Sequence, residues 1–193
     1  MKKIGLYLGT FNPIHHGHIT LANYFANNTD LDEVWVVLTP QNPFKKHYNL
    51  IEDNHRLEMA NNTFNHLKNI KVSDIEFKLD KPNYTIDTIN RLSEDFPNKQ
   101  FTLLIGEDNL ANFHYWKDYS KILELVEVFV YPRNTTINVD NELINNKKIK
   151  ILDAPKIAIS SEEIRKKMKE GVDIKGYLPK VVYEYIIEKR LFN

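Results

Sequence analysis

The chain has 193 residues, of which 42% are apolar, enough to form the core of one sizeable domain. Its 26 lysines and arginines balance its 26 aspartates and glutamates, so no overall field attracts nucleic acid or an anionic membrane. The absence of cysteine excludes disulfides, iron–sulfur clusters and thiolate zinc sites, and it suits a reducing cytoplasm.

Neither a membrane span nor a secretory signal is predicted. No run of about 18 apolar residues occurs, as a spanning helix would require. The N-terminal stretch reaches Gly9 and Pro13 too soon after its lysines to hold a secretory apolar region. We therefore expect a cytoplasmic protein with no membrane partner, folded as a single domain over residues 1–193.

Short apolar runs alternate along the chain with segments of helical spacing. The predicted strands are 3–8, 33–38, 70–77, 101–105, 126–131 and 149–153. The predicted helices are 17–28, 50–66, 85–96, a broken stretch 107–125, 160–170 and 179–190. Most of the strand runs are continuous rather than alternating, which is typical of strands buried on both faces. The order predicts an α/β fold: a parallel sheet with helices on both faces.

This fold class indicates where functional residues should lie. In an open parallel sheet, ligands bind at the carboxyl ends of the strands, where the N-termini of the helices also point. A functional residue is therefore expected just after a strand or at the start of a helix. The polar, asparagine-rich segment 132–148 is interpreted as a surface excursion.

The stretch GTFNPIHHGH, residues 9–18, follows the first predicted strand and leads into the first helix. His15 and His18 could supply two zinc ligands, but no cysteine and no His-Glu-x-x-His pattern accompanies them. The glycine patterns of dinucleotide-binding enzymes and of the P-loop are also absent. A phosphate-binding loop explains more of the residues, because the two imidazoles stand at the positive end of a helix and offer N–H donors to an anion. Gly9 would allow a close backbone approach, and Gly17 would let the helix start pack tightly against the sheet.

This stretch resembles the signature of the nucleotidyltransferases that share an HxGH motif, which transfer a nucleoside monophosphate from ATP or CTP to a phosphate acceptor. The resemblance implies a Rossmann-like sheet of the nucleotidyltransferase type. It also implies that His15 and His18 are catalytic. Further contacts to ATP are implied for Gly9, Thr10, Phe11 and Gly17, and for Gly106 and Asp108 after the strand 101–105.

Residues 155–166, PKIAISSEEIRK, open the helix after the last predicted strand. Ser160 and Glu163 fit a capping box, which would by itself explain both residues. The segment also resembles the ISSTxIR-like motif with which the family grips the triphosphate of ATP. This implies contacts from Ser160 and Ser161 and implies that Arg165 is the third catalytic residue. Glu162 stands where the family usually has threonine. On this reading, the C-terminal helices 160–193 complete the ATP site.

Other stretches resemble the bacterial nicotinate-mononucleotide adenylyltransferases in order and spacing over nearly the whole chain. They are PQNPFKK (40–46), HRLEM (55–59), NYTIDTI (83–89), IGEDNL (105–110), Trp116-Lys117 and the C-terminal 177–192. This breadth separates the chain from the shorter pantetheine-phosphate enzymes of the superfamily. The binding residues implied for nicotinate mononucleotide are Lys45, Lys46, Tyr84, Thr85 and Trp116.

Each acceptor residue also has a structural interpretation. Lys45 and Lys46 could be solvated surface lysines as well as phosphate ligands. Thr85 is a plausible N-cap for helix 85–96, and the free N–H groups of that helix start would favour a carboxylate over a carboxamide. Trp116 could stack on a pyridine ring or anchor the core. Arg56 and Arg133 are interpreted as ordinary surface residues that could equally contact ligand.

The implied reaction joins ATP and nicotinate mononucleotide to give nicotinate adenine dinucleotide and pyrophosphate, with Mg²⁺ carried by ATP and no resident metal. Other hypotheses stay open: nicotinamide mononucleotide or pantetheine phosphate as acceptor, a non-catalytic nucleotide- or RNA-binding module, and a structural zinc protein. The balanced charge argues against RNA as a partner. The sequence leaves homo-oligomerisation open.

Overall fold

The computed structural model describes residues 1–44, 50–133 and 140–192. Lys45 and Lys46, the two lysines expected to meet phosphate, lie outside these ranges. Part of the segment 132–148 also lies outside them.

Six strands form a sheet in which every neighbouring pair is parallel, in the order β3-β2-β1-β4-β5-β6. The strands are β1 (Lys2–Gly9), β2 (Glu33–Leu38), β3 (Ile70–Ser73), β4 (Lys99–Gly106), β5 (Glu127–Tyr131) and β6 (Ile149–Ile151). The chain first builds outward from β1 to β3 and then returns to add β4 on the other side of β1. The strand order therefore reverses between β1 and β4, and a crevice forms there at the carboxyl ends.

Helices connect the strands. They are α1 (His16–Asn28), α2 (Asp53–Phe64), α3 (Thr85–Asp95), α4 (Glu107–Ala111), α5 (Tyr119–Leu125), α6 (Asn141–Ile144), α7 (Ser161–Lys169) and α8 (Lys180–Lys189). Short 3₁₀ helices occur at Ile75–Lys78, Phe113–Tyr115 and Lys175–Tyr177.

Two apolar clusters, one on each face of the sheet, confirm the prediction of strands buried on both sides. Alternate residues of β2 divide between them: Val34 and Val36 join one cluster, while Trp35 and Val37 join the other. The first cluster contains buried residues of α1, α2, α7 and α8, and the second contains those of α3, α4, α5 and α6. The predicted α/β architecture with helices on both faces is therefore observed.

The third strand is shorter than the sequence predicts. The run 70–77 divides into β3, which ends at Ser73, and the 3₁₀ helix Ile75–Lys78. The strand β3 pairs only with β2, and the last paired residues are Val37 and Ser73. After Ser73 the chain turns into the 3₁₀ helix, which buries Ile75 and Glu76.

Among the helices that the structure describes, none combines the length and apolar character needed to cross a membrane.

Candidate active site

A cavity of about 410 Å³ opens at the carboxyl ends of the central strands. Thirteen of the residues expected to bind or catalyse line it: Gly9, Thr10, Phe11, His15, Gly17, His18, Tyr84, Thr85, Asp108, Trp116, Ser160, Ser161 and Arg165. Gly106 ends β4 nearby, where a Cβ would lie 2.3 Å from Oδ1 of Asp108 and 3.0 Å from Nε of Arg133. The three residues expected to be catalytic therefore share one cavity.

The loop between β1 and α1 is held by close packing around its two glycines. Phe11 has a positive φ of 46°, and its ring would lie 3.0 Å from a Cβ at Gly9. A Cβ at Gly17 would lie 2.3 Å from Cγ2 of Ile157 and 3.0 Å from the His15 ring. The start of α1 thus packs closely against the segment that precedes α7.

His15 and His18 form a stacked pair, with ring centroids 3.7 Å apart and an angle of 28° between the rings. The backbone N–H of His15, the N-cap residue of α1, donates to Nδ1 of His18 at 3.2 Å. Because Nδ1 of His18 accepts this bond, the proton of a neutral His18 ring lies on Nε2.

His15 is buried, with 3% of its surface exposed. Burial lowers the pKa of His15 to about 3, and the charges of Arg133 and His16 act in the same direction. Nδ1 of His15 has no hydrogen-bond partner among the residues described. The ring is therefore neutral near physiological pH, and it can donate one N–H without adding positive charge.

Two hydrogen bonds join the helix α7 to the loop between β1 and α1, residues 10–15, which we call the histidine loop. Nη1 of Arg165 donates to the carbonyl of Asn12 at 2.6 Å, and Oγ of Ser161 donates to the carbonyl of Pro13 at 2.9 Å. These bonds hold the guanidinium beside the loop that presents His15 and His18. Glu162, the departure from the family pattern, is exposed and also lines the cavity.

The predicted capping box of α7 is confirmed. Oγ of Ser160 accepts from the N–H of Glu163 at 3.2 Å and donates to Oε2 of the same residue at 2.9 Å. The N–H of Ser160 completes the box by donating to Oε2 of Glu163 at 2.8 Å. The Ser160 hydroxyl proton is thus engaged within the helix end.

The opposite wall is formed by the start of α3 and by the segment before α5. Tyr84, rather than Thr85, is the N-cap residue of α3, so the expected cap was wrong. Thr85 is already helical, and the side chain of the N-cap residue Tyr84 makes no capping hydrogen bond. Trp116 is half-buried against the Phe113 ring, at a centroid distance of 5.1 Å.

Lys117 joins these two parts of the wall. Its ammonium lies 2.9 Å from Oδ2 of Asp87 on α3 and 4.7 Å from the centroid of the Tyr84 ring. We call the surface formed by Tyr84, Thr85, Trp116 and Lys117 the acceptor wall.

Arg56 was wrongly assigned to the surface. It is fully buried on α2, and its guanidinium donates to the carbonyls of Thr10 at 2.7 Å, Thr39 at 2.8 Å and Pro40 at 3.4 Å. It also forms an ion pair with Asp53. A single side chain therefore ties the loop after β1 to the loop after β2. The signal was present in the helix, because Arg56 lies in register with the buried residues of α2: Met59, Ala60, Thr63 and Phe64.

Arg133 also departs from the surface interpretation. It lines the cavity, and its Nε donates to Oδ1 of Asp108 at 3.2 Å. Its guanidinium carbon lies 5.4 Å from the centroid of the Tyr131 ring. Glu76 and Thr39 line the cavity as well and were not singled out in the sequence. Within residues 1–44, 50–133 and 140–192, no group of three or more metal-ligating side chains is assembled.

Comparison with known proteins agrees with this geometry. The cytidylyltransferase-like family model matches residues 6–167. A protein of Flavobacterium psychrophilum named "Probable nicotinate-nucleotide adenylyltransferase" is 49% identical over 191 residues, which cover 99% of each chain. A protein of the same name from Fusobacterium nucleatum is 38% identical, over 99% of this chain and 100% of its own.

Solved structures extend the likeness to the fold. The nicotinic acid mononucleotide adenylyltransferase of Plasmodium falciparum, complexed with NaAD, superimposes with a TM-score of 0.84 at 25% identity, covering 100% of this chain and 98% of its own. The same Plasmodium falciparum enzyme complexed with APC gives a TM-score of 0.80. The chain therefore belongs to the cytidylyltransferase-like family, and within that family to the nicotinate-nucleotide adenylyltransferases.

Proposed function

We propose that the protein transfers the adenylyl group of ATP to nicotinate mononucleotide, forming nicotinate adenine dinucleotide and releasing pyrophosphate. The observation that carries this proposal is that the two histidines, Arg165 and the acceptor wall all line one cavity. We further propose that the reaction takes place in the cytoplasm.

The reaction requires alignment of the two reacting phosphates more than it requires proton transfer. An oxygen of the mononucleotide phosphate attacks the α-phosphorus of ATP, and the bond from that phosphorus to the oxygen bridging it to the β-phosphorus breaks. The attacking phosphate is already anionic near neutral pH, so no general base is needed. The site has to hold the two phosphates in line and to stabilise the charge that moves to the leaving pyrophosphate.

The histidine loop and α7 suit the triphosphate. The neutral imidazole of His15 and the Nε2–H of His18 supply N–H donors, and the guanidinium of Arg165 supplies the positive charge. Gly9, Thr10, Phe11, Gly17, Gly106 and Asp108 would complete the nucleotide site. Mg²⁺ would enter with ATP, since a magnesium ion usually binds substrate phosphates with few protein ligands.

The hydrogen bonds of the two serines refine their expected roles. Oγ of Ser161 donates to Pro13, and Oγ of Ser160 donates to Glu163. Their hydroxyl oxygens would have to exchange these partners before donating to a phosphate. We therefore propose that the two serines contribute chiefly by placing Arg165 and the start of α7.

The acceptor wall suits a pyridine carboxylate. Trp116 offers a flat ring, and the uncapped start of α3 presents backbone N–H groups that a carboxylate can accept from. A carboxamide would bring its own NH₂ donors toward these groups, which disfavours nicotinamide. Lys45 and Lys46, which lie outside the described residues, remain candidates for the mononucleotide phosphate.

The test is to mix the protein with Mg-ATP and each of three acceptors: nicotinate mononucleotide, nicotinamide mononucleotide and pantetheine phosphate. Pyrophosphate release and the dinucleotide product are measured together, with an acceptor-free sample as the blank. We expect the dinucleotide with nicotinate mononucleotide and a lower kcat/KM with the other two. Turnover with another acceptor and none with nicotinate mononucleotide would refute the proposal.

A further inference from the structure

Glu76 is a buried carboxyl group on the cavity wall for which the proposed mechanism has no use. It lies in the 3₁₀ helix Ile75–Lys78, and 1% of its surface is exposed. Its Oε1 accepts from Oγ1 of Thr88 at 2.7 Å, whereas its Oε2 has no partner among the described residues. A buried polar atom without a hydrogen bond destabilises the fold, so stability alone does not explain this residue.

The backbone of Glu76 is bonded to the approach to α3. Its carbonyl accepts from Nδ2 of Asn83 at 2.9 Å. Oδ1 of Asn83 accepts from the N–H of Gln41 at 3.1 Å, and the N–H of Asn83 donates to the Gln41 carbonyl at 2.9 Å. Asn83 therefore links Glu76 to the segment that follows β2.

The side chain of Glu76 is bonded to the first turn of α3. The hydroxyl of Thr88 lies between the Glu76 carboxyl group and the carbonyl of Tyr84, 3.3 Å away. Tyr84 and Thr85, which begin this turn, belong to the acceptor wall. Glu76 thus contacts, directly or through one residue, both the segment after β2 and the helix start that bound the acceptor side of the cavity.

We propose that Glu76 is a positioning residue for the acceptor substrate and that it fixes the start of α3 relative to the segment after β2. This inference rests on the proposed function. Glu76 would affect the affinity for the mononucleotide and not the affinity for ATP.

The surroundings of the carboxyl group favour the neutral form. Burial raises the pKa of Glu76 to about 7, while the hydroxyls of Thr88 and Thr39 lower it less strongly. The elements packed against it are β2 and α3, and the charged groups near this end of them are already engaged. Asp87 is paired with Lys117, and Arg56 is bonded to the Thr39 carbonyl. Above neutral pH the group would ionise with Oε2 unpartnered, and this would disturb the contact with Thr88 that holds it.

The experiment compares Glu76→Ala and Glu76→Gln with the wild-type protein. The KM values for nicotinate mononucleotide and for Mg-ATP are measured near pH 6 and near pH 8. For Glu76→Ala we expect the KM of the mononucleotide to rise about tenfold while that of ATP stays within about twofold. In Glu76→Gln the side chain keeps its shape, and its amide oxygen can still accept from the Thr88 hydroxyl. This variant should therefore keep most of the wild-type affinity for the mononucleotide. It should also remove the part of the pH dependence that the carboxyl group causes.

The control is Glu33→Gln, because Glu33 is a second buried carboxyl group, 5% exposed, at the far end of β2. It is paired with Lys2 and Lys71, and its substitution should lower stability and leave both KM values unchanged. Equal rises of both KM values in Glu76→Ala would overturn the inference. So would a Glu76→Gln variant that loses as much affinity as the alanine variant or keeps the wild-type pH dependence.

If Glu76→Ala does not fold, Thr88→Val breaks the same contact from the other side. It should raise the KM of the mononucleotide alone, and an unchanged value would overturn the inference. A wild-type protein that makes no dinucleotide would instead refute the proposed function, so the two failures are distinguishable.

Discussion

At the scale of single residues, the two stacked histidines differ in what fixes the N–H donor that each can present to a phosphate. His15 is neutral because of its burial, and its backbone N–H fixes the tautomer of a neutral His18. The hydrogen bond from the His15 backbone to Nδ1 of His18 thus places a proton on Nε2 before any substrate binds. A donor held in this way needs little reorganisation when charge develops on a phosphate.

We predict that His18→Ala lowers kcat by about a hundredfold to a thousandfold, since this is the usual effect of losing one preorganised donor. The fold should stay intact, as circular dichroism and thermal unfolding would show. His16→Ala is the matched control, because His16 lies in the first turn of α1, as His18 does, and is exposed. Unchanged turnover of the His18 variant would remove this residue from the mechanism.

The burial of Arg56 leads to a prediction about stability. Arg56→Ala would leave the carbonyls of Thr10, Thr39 and Pro40 without their donor, so the free energy of unfolding should fall by about 3 kcal/mol or more. Urea unfolding measures the loss. Arg91→Ala is the control, since Arg91 forms an exposed pair with Asp95 and its removal should change stability by less than about 1 kcal/mol. Similar losses for the two variants would contradict the interpretation of Arg56 as a buried clamp.

Residues differ in how far the sequence could reveal them. The histidines, the glycines and the capping box of α7 occur within short stretches of fixed spacing, so local pattern was enough to place them. Glu76 depends on contacts with the segment after β2 and with α3 that exist only after the sheet has formed, so no local pattern indicated it. The burial of Arg56 was indicated by its register with the buried residues of α2, although the carbonyls that it bonds come from other segments. The N-cap of α3 was missed because Thr85 has the right side chain, while the extended backbone residue there is Tyr84.

At the scale of elements, the cavity depends on the contact between the start of α1 and the segment before α7. Gly17 makes this contact possible, because Ile157 and the His15 ring occupy the space that a side chain would need. The strands and most helices were predictable from continuous apolar runs and helical spacing. The end of β3 was not, because the apolar run 70–77 continues without a break from the strand into the 3₁₀ helix Ile75–Lys78.

We predict that Gly17→Ala lowers stability by about 1–3 kcal/mol, as overpacking does, and also reduces turnover by moving His15. Gly176→Ala should change neither, because a Cβ there meets no atom within 4 Å. Adding Ile157→Ala to Gly17→Ala should recover part of the stability, since it removes the clashing methyl group. Double-mutant analysis of thermal unfolding measures this coupling, and strictly additive effects would argue against the contact.

At the scale of the whole molecule, two buried groups make the free energy of unfolding depend on pH in opposite directions. The pKa of His15 falls from 6.5 to about 3, so the unfolded chain binds the extra proton in that range and stability is lost as the pH falls. The pKa of Glu76 rises from 4.5 to about 7, so the folded chain binds the extra proton and stability is lost as the pH rises through that range.

We therefore predict that Glu76→Gln gains stability relative to the wild-type protein as the pH rises from about 4.5 to about 8, by up to about 3 kcal/mol. Denaturant unfolding at several pH values measures the difference between the two proteins. A difference that does not vary with pH would show that Glu76 keeps an ordinary pKa in the fold.

The two hydrogen bonds between α7 and the histidine loop join residues 148 and 153 positions apart in the chain. Such distant partners meet late, because closing a long stretch of chain is entropically costly until the intervening structure has formed. During refolding, the parallel sheet could thus assemble before Arg165 reaches Asn12. Recovery of enzymatic turnover should then lag behind recovery of the far-ultraviolet signal, and the interval would report the docking of the C-terminal helices.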